Sequence, residues 1–552
     1  MTPEELSKTI KESLESLIAS QKLEINAIPE IKIERPKSKD HGDFASNIAL
    51  MVAKPAAKNP REVAQLLVDE LSKHSGIKKI EIAGPGFLNF TLDSASLGEL
   101  AKKIVTEADK YGHTNSLQGE TINVEFISAN PTGPLHLGHT RWAAVGDAIA
   151  RVLAASGAKV VREFYINDRG SQLDKFGASI CAAANNESIP EDGYHGAYVK
   201  ELAAEIVKEK PQILKLAKNE QEIEFREEGY KKQLQQQKDV LNDFRTHFDV
   251  WYSERSLHSS GAVEKGLAVL KKHGHVFEQD GATWLRTTDF GDDKDRVLIK
   301  ADGEYTYFAS DTAYYVDKRS RGHDVNIYLL GADHHGYVNR LRAVAACAGD
   351  DPDKNVEVLI GQLVKMLKNG QEVRLSKRAG NIITLEDLVD EVGVDAARYT
   401  LTRYPVDTPL TLEIDLLTSH TNDNPVFYVQ YAHARISAVI RSAQEKGINW
   451  QNNSFNPAVL VTDQETELLG ALSEFPRIVS SAAQLREPHR VARYLEELAT
   501  AYHSFYSACR VLPMNDEAVT DETNARLMLC AATRQVIKNG LDLLGVSAPE
   551  KM

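Results

Sequence analysis

Cysteine is scarce in this chain. The four thiols among 552 residues, Cys181, Cys347, Cys509 and Cys530, lie too far apart for zinc-ligand spacing or a small disulfide framework. Structural zinc is therefore not expected, and reduced, buried thiols are. Long apolar runs are missing too: nothing approaches the ~18 consecutive apolar residues of a membrane-spanning helix. The opening Met1-Thr2-Pro3-Glu4-Glu5-Leu6 is acidic where a secretory signal is basic and then apolar. These absences point to the cytoplasm and away from a membrane. Positive charge is also in deficit, with 65 Lys and Arg against 79 Asp and Glu and a net charge of −14. That does not exclude a nucleic-acid partner, because binding depends on local cationic surfaces and a negative body can suppress unproductive association. Candidate surfaces are Lys32, Arg35, Lys37 and Lys39, and the helical stretch from Tyr428 to Arg441, either of which is equally readable as a solvated face. Short tandem repeats and low-complexity segments are absent.

What is present is ordinary globular material, 42% hydrophobic and 26% charged, long enough for roughly three or four domains. The most informative stretch is Ala129-Asn130-Pro131-Thr132-Gly133-Pro134-Leu135-His136-Leu137-Gly138-His139. Before it, Ile122, Val124 and Phe126 alternate with polar residues as in a half-buried strand. After it, Val145, Ala148, Ile149, Val152 and Leu153 fall at helical spacing up to Gly157, and Lys159 to Tyr165 reads as a second strand. Strand, Gly-containing turn, helix, strand is a βαβ unit, whose ligands bind beyond the carboxyl ends of the strands near helix N-termini. His136 and His139 thus face an anion site. Gly138 leaves room for a flat ligand such as adenine, and two imidazoles can donate to phosphate oxygens whose charge grows in an in-line transition state. The competing readings are a His-x-x-His metal pair and two histidines that merely cap a turn.

More than two hundred residues downstream, Val373-Arg374-Leu375-Ser376-Lys377-Arg378-Ala379-Gly380-Asn381 places a Ser and consecutive cations beside a glycine. Such a loop can close over a triphosphate and neutralise pyrophosphate, although a Lys-Arg pair alone is more often a solvated face. The two segments in this order resemble the signature pair of class I aminoacyl-tRNA synthetases.

Within that class the chain resembles the arginyl-tRNA synthetases over essentially its whole length. The matching segments are Val124 to Pro134, Tyr165-Ile166-Asn167-Asp168-Arg169-Gly170-Ser171-Gln172, Phe248 to Glu254, Gly331 to Tyr337 and Asn424 to Arg435. The resemblance implies a multidomain α/β protein. A Rossmann-type catalytic domain at about 113–415 would carry a helical, strand-free insertion at about 190–265. An α+β additional domain at 1–112 would contact the tRNA elbow, and an all-helical anticodon-binding bundle would follow at about 416–552. The bundle's helices read as Val426 to Ser442, Thr462 to Phe475, His489 to Ser507 and Ala525 to Leu544. The resemblance further implies that His136 and His139 act on ATP with Ser376, Lys377 and Arg378, and that Ser128 and Asn130 hold the backbone groups of the amino acid. Tyr307 and Asp311 would hold its guanidinium, with Glu125 a further carboxylate of the right type. Asp333, His334 and Gln362 would border the same cleft. A guanidinium is a permanent planar cation with five donors, and a lysine ammonium cannot satisfy the same fork.

The implied reaction joins L-arginine to arginine tRNA through arginyl-adenylate, with magnesium travelling on ATP and bound mainly through phosphates. The enzyme is expected to be a monomer. One departure stands out: the class pattern Lys-Met-Ser-Lys-Ser is replaced by Arg374 to Arg378, which keeps the second lysine as Lys377. Many arginyl enzymes lack that lysine, so a more ordinary loop mechanism is implied here. Rival readings are another class I synthetase, such as the cysteinyl or glutamyl enzyme, a small nucleotidyltransferase, and a non-catalytic tRNA-binding relative. The cysteine spacing opposes the cysteinyl reading, the two large flanking domains the nucleotidyltransferase, and the intact His136, His139 and Lys377 the last.

Overall fold

The structure, a computed structural model, describes residues 2–36, 41–334, 336–373, 383–451, 455–514 and 517–552. Its centre is a five-stranded, wholly parallel sheet built from β1 (Thr121–Glu125), β2 (Lys159–Ile166), β3 (Val250–Ser253), β4 (Val325–Gly331) and β5 (Val356–Gly361), in the order β5-β4-β1-β2-β3. This is a doubly wound arrangement, and the chain reverses its direction of winding between β1 and β4, which pair in register from Ile122 opposite Val325 to Glu125 opposite Tyr328. A crevice opens at the carboxyl edge there. β1 is more deeply buried than its alternation suggests, since Ile122, Asn123 and Val124 are all fully enclosed. Both faces of a parallel sheet are covered, so Asn123 must find its partners inside.

β1 leads into helix Leu137–Ala155, whose apolar residues pack against the sheet. β2 leads into helices Ser171–Ala184, Ala197–Glu209 and Lys218–Asp243. The Lys/Glu/Gln-rich stretch expected at about 190–265 to be helical and without strands is helical to Asp243 and again from Glu254, but not strand-free. Val250–Ser253 within it is a strand of the central sheet, pairing with Glu163 to Ile166. Its four residues are too short to show a period against so charged a background. A second excursion separates β3 from β4, and it contains a three-stranded antiparallel sheet of Val276–Gln279, Ala282–Leu285 and Arg296–Ile299. Helix Tyr307–Ser320 then returns the chain to β4.

In front of the sheet, helix Pro3–Ala19 starts at a Thr2/Glu5 capping box with Pro3 in its first turn, and buries Leu6, Ile10, Leu14 and Leu17. It accompanies a small antiparallel sheet of Phe44–Ser46, Ile77–Ala83 and Phe87–Leu92. Beyond the catalytic sheet come helices Pro425–Glu445, Asp463–Ser473, Phe475–Leu485, His489–Ala508 and Asp521–Leu543. The helix Phe475–Leu485 is additional to those expected from the sequence. Pro476 in its first turn opens a new helix where the apolar pattern runs on without a break. Front and back elements meet directly: the Tyr111 hydroxyl donates to Leu472 O at 2.9 Å, and Asn539 Nδ2 donates to Tyr111 O at 2.9 Å. Arg35, one of the candidate surface cations, lies against Gly470, where a Cβ would approach its guanidinium to 2.6 Å. Lys37 and Lys39 lie outside the described residues. Among the described residues no helix is long and apolar enough to cross a membrane.

Candidate active site

His136 is the N-cap of helix Leu137–Ala155. Its Nδ1 accepts from Gly138 N at 3.1 Å, and His139 Nδ1 accepts from His136 N at 3.3 Å. With both Nδ1 atoms occupied as acceptors, each neutral ring carries its proton on Nε2 and offers that N–H outward. The rings stack with centroids 3.7 Å apart. Burial lowers the pKa of both, that of His139 to about 3, where His136 also contributes. Two neutral donors at a helix N-terminus suit phosphate oxygens without acting as acids. Gly138 is needed for the pair itself as well as for any ligand, because a Cβ there would come within 2.9 Å of His136 Cε1.

The downstream signature segment joins this point on both sides. Leu137 N donates to Ile383 O and Leu385 N to Leu135 O, each at 2.8 Å, so residues 383–385 form an antiparallel bridge with the histidine segment. Val373, on the other side of the segment, accompanies His136, Gly138, Met366 and Ile383 in lining a cavity of about 390 Å³. Ser376, Lys377 and Arg378 themselves lie outside the described residues. The wall of the cavity is braced by Arg141, which is buried on the signature helix and donates to the carbonyls of Gln362, Pro405 and Thr408. A second cavity, of about 440 Å³, lies on the other side of the histidines and is lined by Asn130, Gly133, His136, His139, Tyr194 and Tyr198.

The turn after β1 is strained: Ile127 and Ser128 have φ of 68° and 47°, a left-handed conformation costly for a β-branched residue. It turns Ser128 back toward the sheet, where its hydroxyl donates to Glu125 Oε1 at 3.1 Å and accepts from Tyr165 N at 3.1 Å. Asn130 Nδ2 donates to Gln172 Oε1 at 2.6 Å, and the Asn130 and Gly133 carbonyls both accept from Gln237 Nε2. The helix Lys218–Asp243 therefore supports the signature turn from behind.

Four carboxylates, Glu125, Asp168, Glu254 and Asp311, surround the Tyr165 hydroxyl and push its pKa up, with burial the largest cause. All four have partners, Tyr165 bonding to Glu254 and Tyr337 to Asp311. Asp168 accepts from the hydroxyls of Tyr230 and Ser253 and from Arg255 N, and Glu125 pairs at 2.5 Å with the wholly buried Lys318 ammonium. The other two, Glu254 and Asp311, are raised by burial and by nearby acids, Glu254 to about 7 with Asp311 the leading charge, and Asp311 to about 6. Burial and mutual repulsion are the causes, and acids raised in this way are candidate functional groups. Tyr307, at the start of the helix that carries Asp311, is 75% exposed. Glu254 ends the matching segment Phe248 to Glu254, and nothing in that segment assigns it a role. Only the convergence of β3 with helix Tyr307–Ser320 brings it near Asp311, and no spacing in the sequence connects residue 254 to residue 311. Glu125, expected as a further carboxylate for the guanidinium, has an internal partner in Lys318. Asp333 and His334, 3.5 Å apart, stand exposed just past β4, and Gln362 N is bonded to Val406 O. Among the described residues no three His, Cys, Asp or Glu side chains group as a metal site.

On the helical side, Phe427 and Tyr431 stack at 5.9 Å, and Arg435 lies over the rings of Tyr431 and Tyr506.

Comparison with known proteins accounts for nearly the whole chain. Residues 4–92 match the arginyl tRNA synthetase N terminal domain, 101–405 the catalytic domain of the class I (R) tRNA synthetases, and 429–552 the DALR anticodon binding domain. The arginine–tRNA ligase of Renibacterium salmoninarum is 56% identical over 555 residues, and that of Frankia alni 53% over 552, each alignment spanning 100% of both chains. Among solved structures, a putative arginyl-tRNA synthetase from Campylobacter jejuni superposes with a TM-score of 0.76 at 34% identity, covering 84% of this chain and 100% of that one. The arginyl-tRNA synthetase of Thermus thermophilus superposes with a TM-score of 0.77 at 23% identity, covering both chains fully.

Proposed function

The chain belongs to the arginyl-tRNA synthetases and is an arginine–tRNA ligase, and from that premise we propose how its residues divide the work. ATP enters as its magnesium complex, the ion bound mainly through phosphate oxygens, with the adenosine in the cavity beside Gly138. The Nε2–H groups of His136 and His139 donate to the α-phosphate as arginine carboxylate attacks it, strengthening as negative charge develops. Ser376, Lys377 and Arg378 neutralise the departing pyrophosphate. Asn130 and Ser128 orient the amino acid's backbone, Asp311 and Glu254 receive its guanidinium, and Tyr307 closes over it.

Transfer follows when the terminal ribose of arginine tRNA reaches the adenylate through the second cavity, past Tyr194 and Tyr198. The Phe427, Tyr431, Tyr506 and Arg435 surface offers stacking faces and a cation to unpaired bases, so the helical region at about 416–552 reads the anticodon and the front region, 1–112, contacts the tRNA elbow. We place the enzyme in the cytoplasm, where translation consumes its product, acting as a monomer.

The observation that carries this reading is the cluster of carboxylates around Tyr165 at the carboxyl edge of the sheet, together with the two stacked histidines that start the helix after β1. ATP–pyrophosphate exchange across the twenty amino acids, with and without tRNA, tests it. Exchange should be best with arginine, and better exchange with any other amino acid overturns the assignment of the pocket.

A further inference from the structure

The two cavities at the signature helix share His136 and differ in chemistry. Beside Gly138, the cavity of about 390 Å³ is walled mostly by Leu137, Val364, Met366, Val373 and Ile383, which suits the flat face of a base. The cavity of about 440 Å³ is lined by Thr132, His136 and His139 from the signature side and by Tyr194, His195 and Tyr198 from the insertion. Asn130 and Gln172, bonded to each other at 2.6 Å, form a further polar edge. Among the described residues no Asp or Glu lines this second cavity. Hydroxyl, amide and imidazole donors without a carboxylate suit an anion. Thr132 is only 5% exposed, and its hydroxyl makes no hydrogen bond among the described residues. Helix Ala197–Glu209 also starts here, at a Gly196 N-cap with no side-chain acceptor, so the positive end of its dipole is uncapped beside the cavity. The insertion wall is already fixed in place. Tyr194 N donates to Ser179 Oγ at 2.8 Å, the Tyr194 ring meets Phe176 edge-on at 5.5 Å, and the Tyr198 hydroxyl donates to Thr132 O at 3.1 Å.

We propose that the second cavity is the pyrophosphate subsite of the adenylation reaction, and that Tyr194, His195 and Tyr198 of the insertion bind the β- and γ-phosphates of ATP. Continuity between the cavities is the ground. A molecule with a flat base at one end and a polyanion at the other, laid past His136, puts its base in the first cavity and its phosphates in the second. In-line displacement places the attacking carboxylate and the leaving oxygen on opposite sides of the α-phosphorus. The Asn130 edge serves the first and the insertion edge the second. As the carboxylate oxygen bonds to phosphorus, the α–β bridging oxygen departs with the bonding pair, and the donors of the insertion meet the charge it carries away. Neutral donors stabilise that charge less tightly than buried cations would, which suits a product that has to leave. The subsite also imposes an order. Since the terminal ribose of the tRNA approaches through the same cavity, pyrophosphate must depart before transfer begins. This inference rests on the assignment of the first cavity to adenosine and of the two histidines to the α-phosphate.

The test uses the full chain with tRNA present. Pyrophosphate exchange gives the KM of pyrophosphate, ATP and arginine for wild type, the double variant Tyr194→Phe with Tyr198→Phe, His195→Glu and His195→Gln. Inhibition by AMP, which has no β- or γ-phosphate, is measured alongside. The KM of pyrophosphate and of ATP should rise by about tenfold or more in the double variant, which loses two hydroxyls facing an anion. A similar rise is expected in His195→Glu, which sets a carboxylate against it, whereas His195→Gln should stay within about threefold of wild type. The KM of arginine and the inhibition constant of AMP should not move. A merely structural role would shift AMP and arginine together with pyrophosphate, and that result overturns the proposal, as does an unchanged pyrophosphate KM in the folded variants. The acceptor end of tRNA is the other source of phosphate. A raised KM for tRNA in transfer from preformed arginyl-adenylate, with the pyrophosphate KM unchanged, gives the cavity to the terminal phosphodiester and also overturns it. If the double variant does not fold, the exposed His195 decides through its Glu and Gln variants. Val364→Trp, which fills the first cavity, separates the two levels. Undiminished AMP inhibition in that variant means that the adenosine assignment has failed, whereas weakened inhibition together with an unchanged pyrophosphate KM in His195→Glu means that only the pyrophosphate subsite has failed.

Discussion

Arg398 donates from Nη2 to Asp147 Oδ2 at 2.6 Å, joining the helix that follows the downstream signature segment to the helix that carries the histidines. Both side chains are essentially without solvent contact. Arg398 also donates to Thr246 Oγ1 and to the carbonyls of Phe244 and Leu544, so one guanidinium ties together the signature helix, the insertion and the end of the helical region. Replacing it with Met leaves several buried acceptors unmatched. The expected loss is ~3–5 kcal/mol of stability, read as a lowered urea midpoint in a full-length sample. A midpoint within experimental error of wild type would show that water or Arg151 takes over its contacts.

His136→Ala and His139→Ala should reduce the rate of arginyl-adenylate formation by roughly 10²–10³-fold, with far smaller effects on arginine affinity, because contacts made to developing charge act on the transition state. Single-turnover exchange and calorimetry separate the two effects. Equal losses in both, or failure to fold, would favour a capping role. The pH dependence has a definite sign. His139 remains neutral in the folded chain down to about 3, while the unfolded imidazole takes up a proton below 6.5. Unfolding therefore binds a proton at acidic pH, and this residue costs stability as pH falls from 6.5 toward 3. His139→Ala should make the stability profile flatter over that window.

The Glu254 and Asp311 pair should make arginine binding weaken as pH falls through about 7 to 6. The groups facing Glu254 are Asp311, Arg169, Asp168 and Tyr165, and those facing Asp311 are Tyr337, Arg340 and Glu125; the net result is the raised values of about 7 and about 6. Folded carboxyls raised above their unfolded range favour the empty protein at low pH and penalise it as pH rises through those values. A bound guanidinium offsets the penalty, so the thermal shift produced by arginine should grow from pH 5.5 to 8. Asp311→Asn should abolish most of that growth and cost about 2–5 kcal/mol of arginine binding, with ATP affinity nearly unchanged. Unchanged arginine affinity in calorimetry would place Asp311 outside the pocket.

The parts of this site that are legible in the amino-acid sequence are the contiguous ones. Asn130 to His139 lie in one turn and one helix start, so the strand-to-helix pattern around them is enough to place them at an anion site. The carboxylate cluster that we propose takes the amino-acid side chain is of a different kind. Glu254 follows a four-residue strand, Asp311 sits on a helix reached through an antiparallel sheet of three short strands, and Lys318 lies two turns beyond it. Each of these side chains looks like an ordinary surface charge in a chain that is 26% charged. Only parallel pairing of β1, β2 and β3 brings Glu125, Tyr165 and Glu254 to the same edge, and register between distant strands is not a local property. The same reason explains why the helical insertion ends earlier than its composition suggests: Val250–Ser253 has no period of its own, and its strand state depends on β2.

Arginine activation should depend on cognate tRNA even though Lys377 is present. The resemblance to the arginyl enzymes, which generally require bound tRNA for pyrophosphate exchange, implies such a dependence here, and it would mean that the active arrangement is a minor state until tRNA binds. A ligand shifts such an equilibrium only through contacts made preferentially in the active state. The fold provides a route for those contacts to act. The segment Leu385–Thr402, two helices joined at a break at Gly393 (φ 78°), begins at the bridge to His136 and reaches Leu544 through Arg398, at the end of the region we assign to the anticodon. We propose that a displacement of that region reaches the residues bordering the signature segment along this path. Lys377 pulls in the other direction, because a loop with its own cation can neutralise pyrophosphate unaided. Exchange in nuclease-treated enzyme should accordingly be low but measurable, and should rise strongly when arginine tRNA is added. Lys377→Ala should then remove the tRNA-independent remainder more completely than the stimulated rate. Full exchange in tRNA-free enzyme would show that Lys377 suffices and that the helical route carries no coupling.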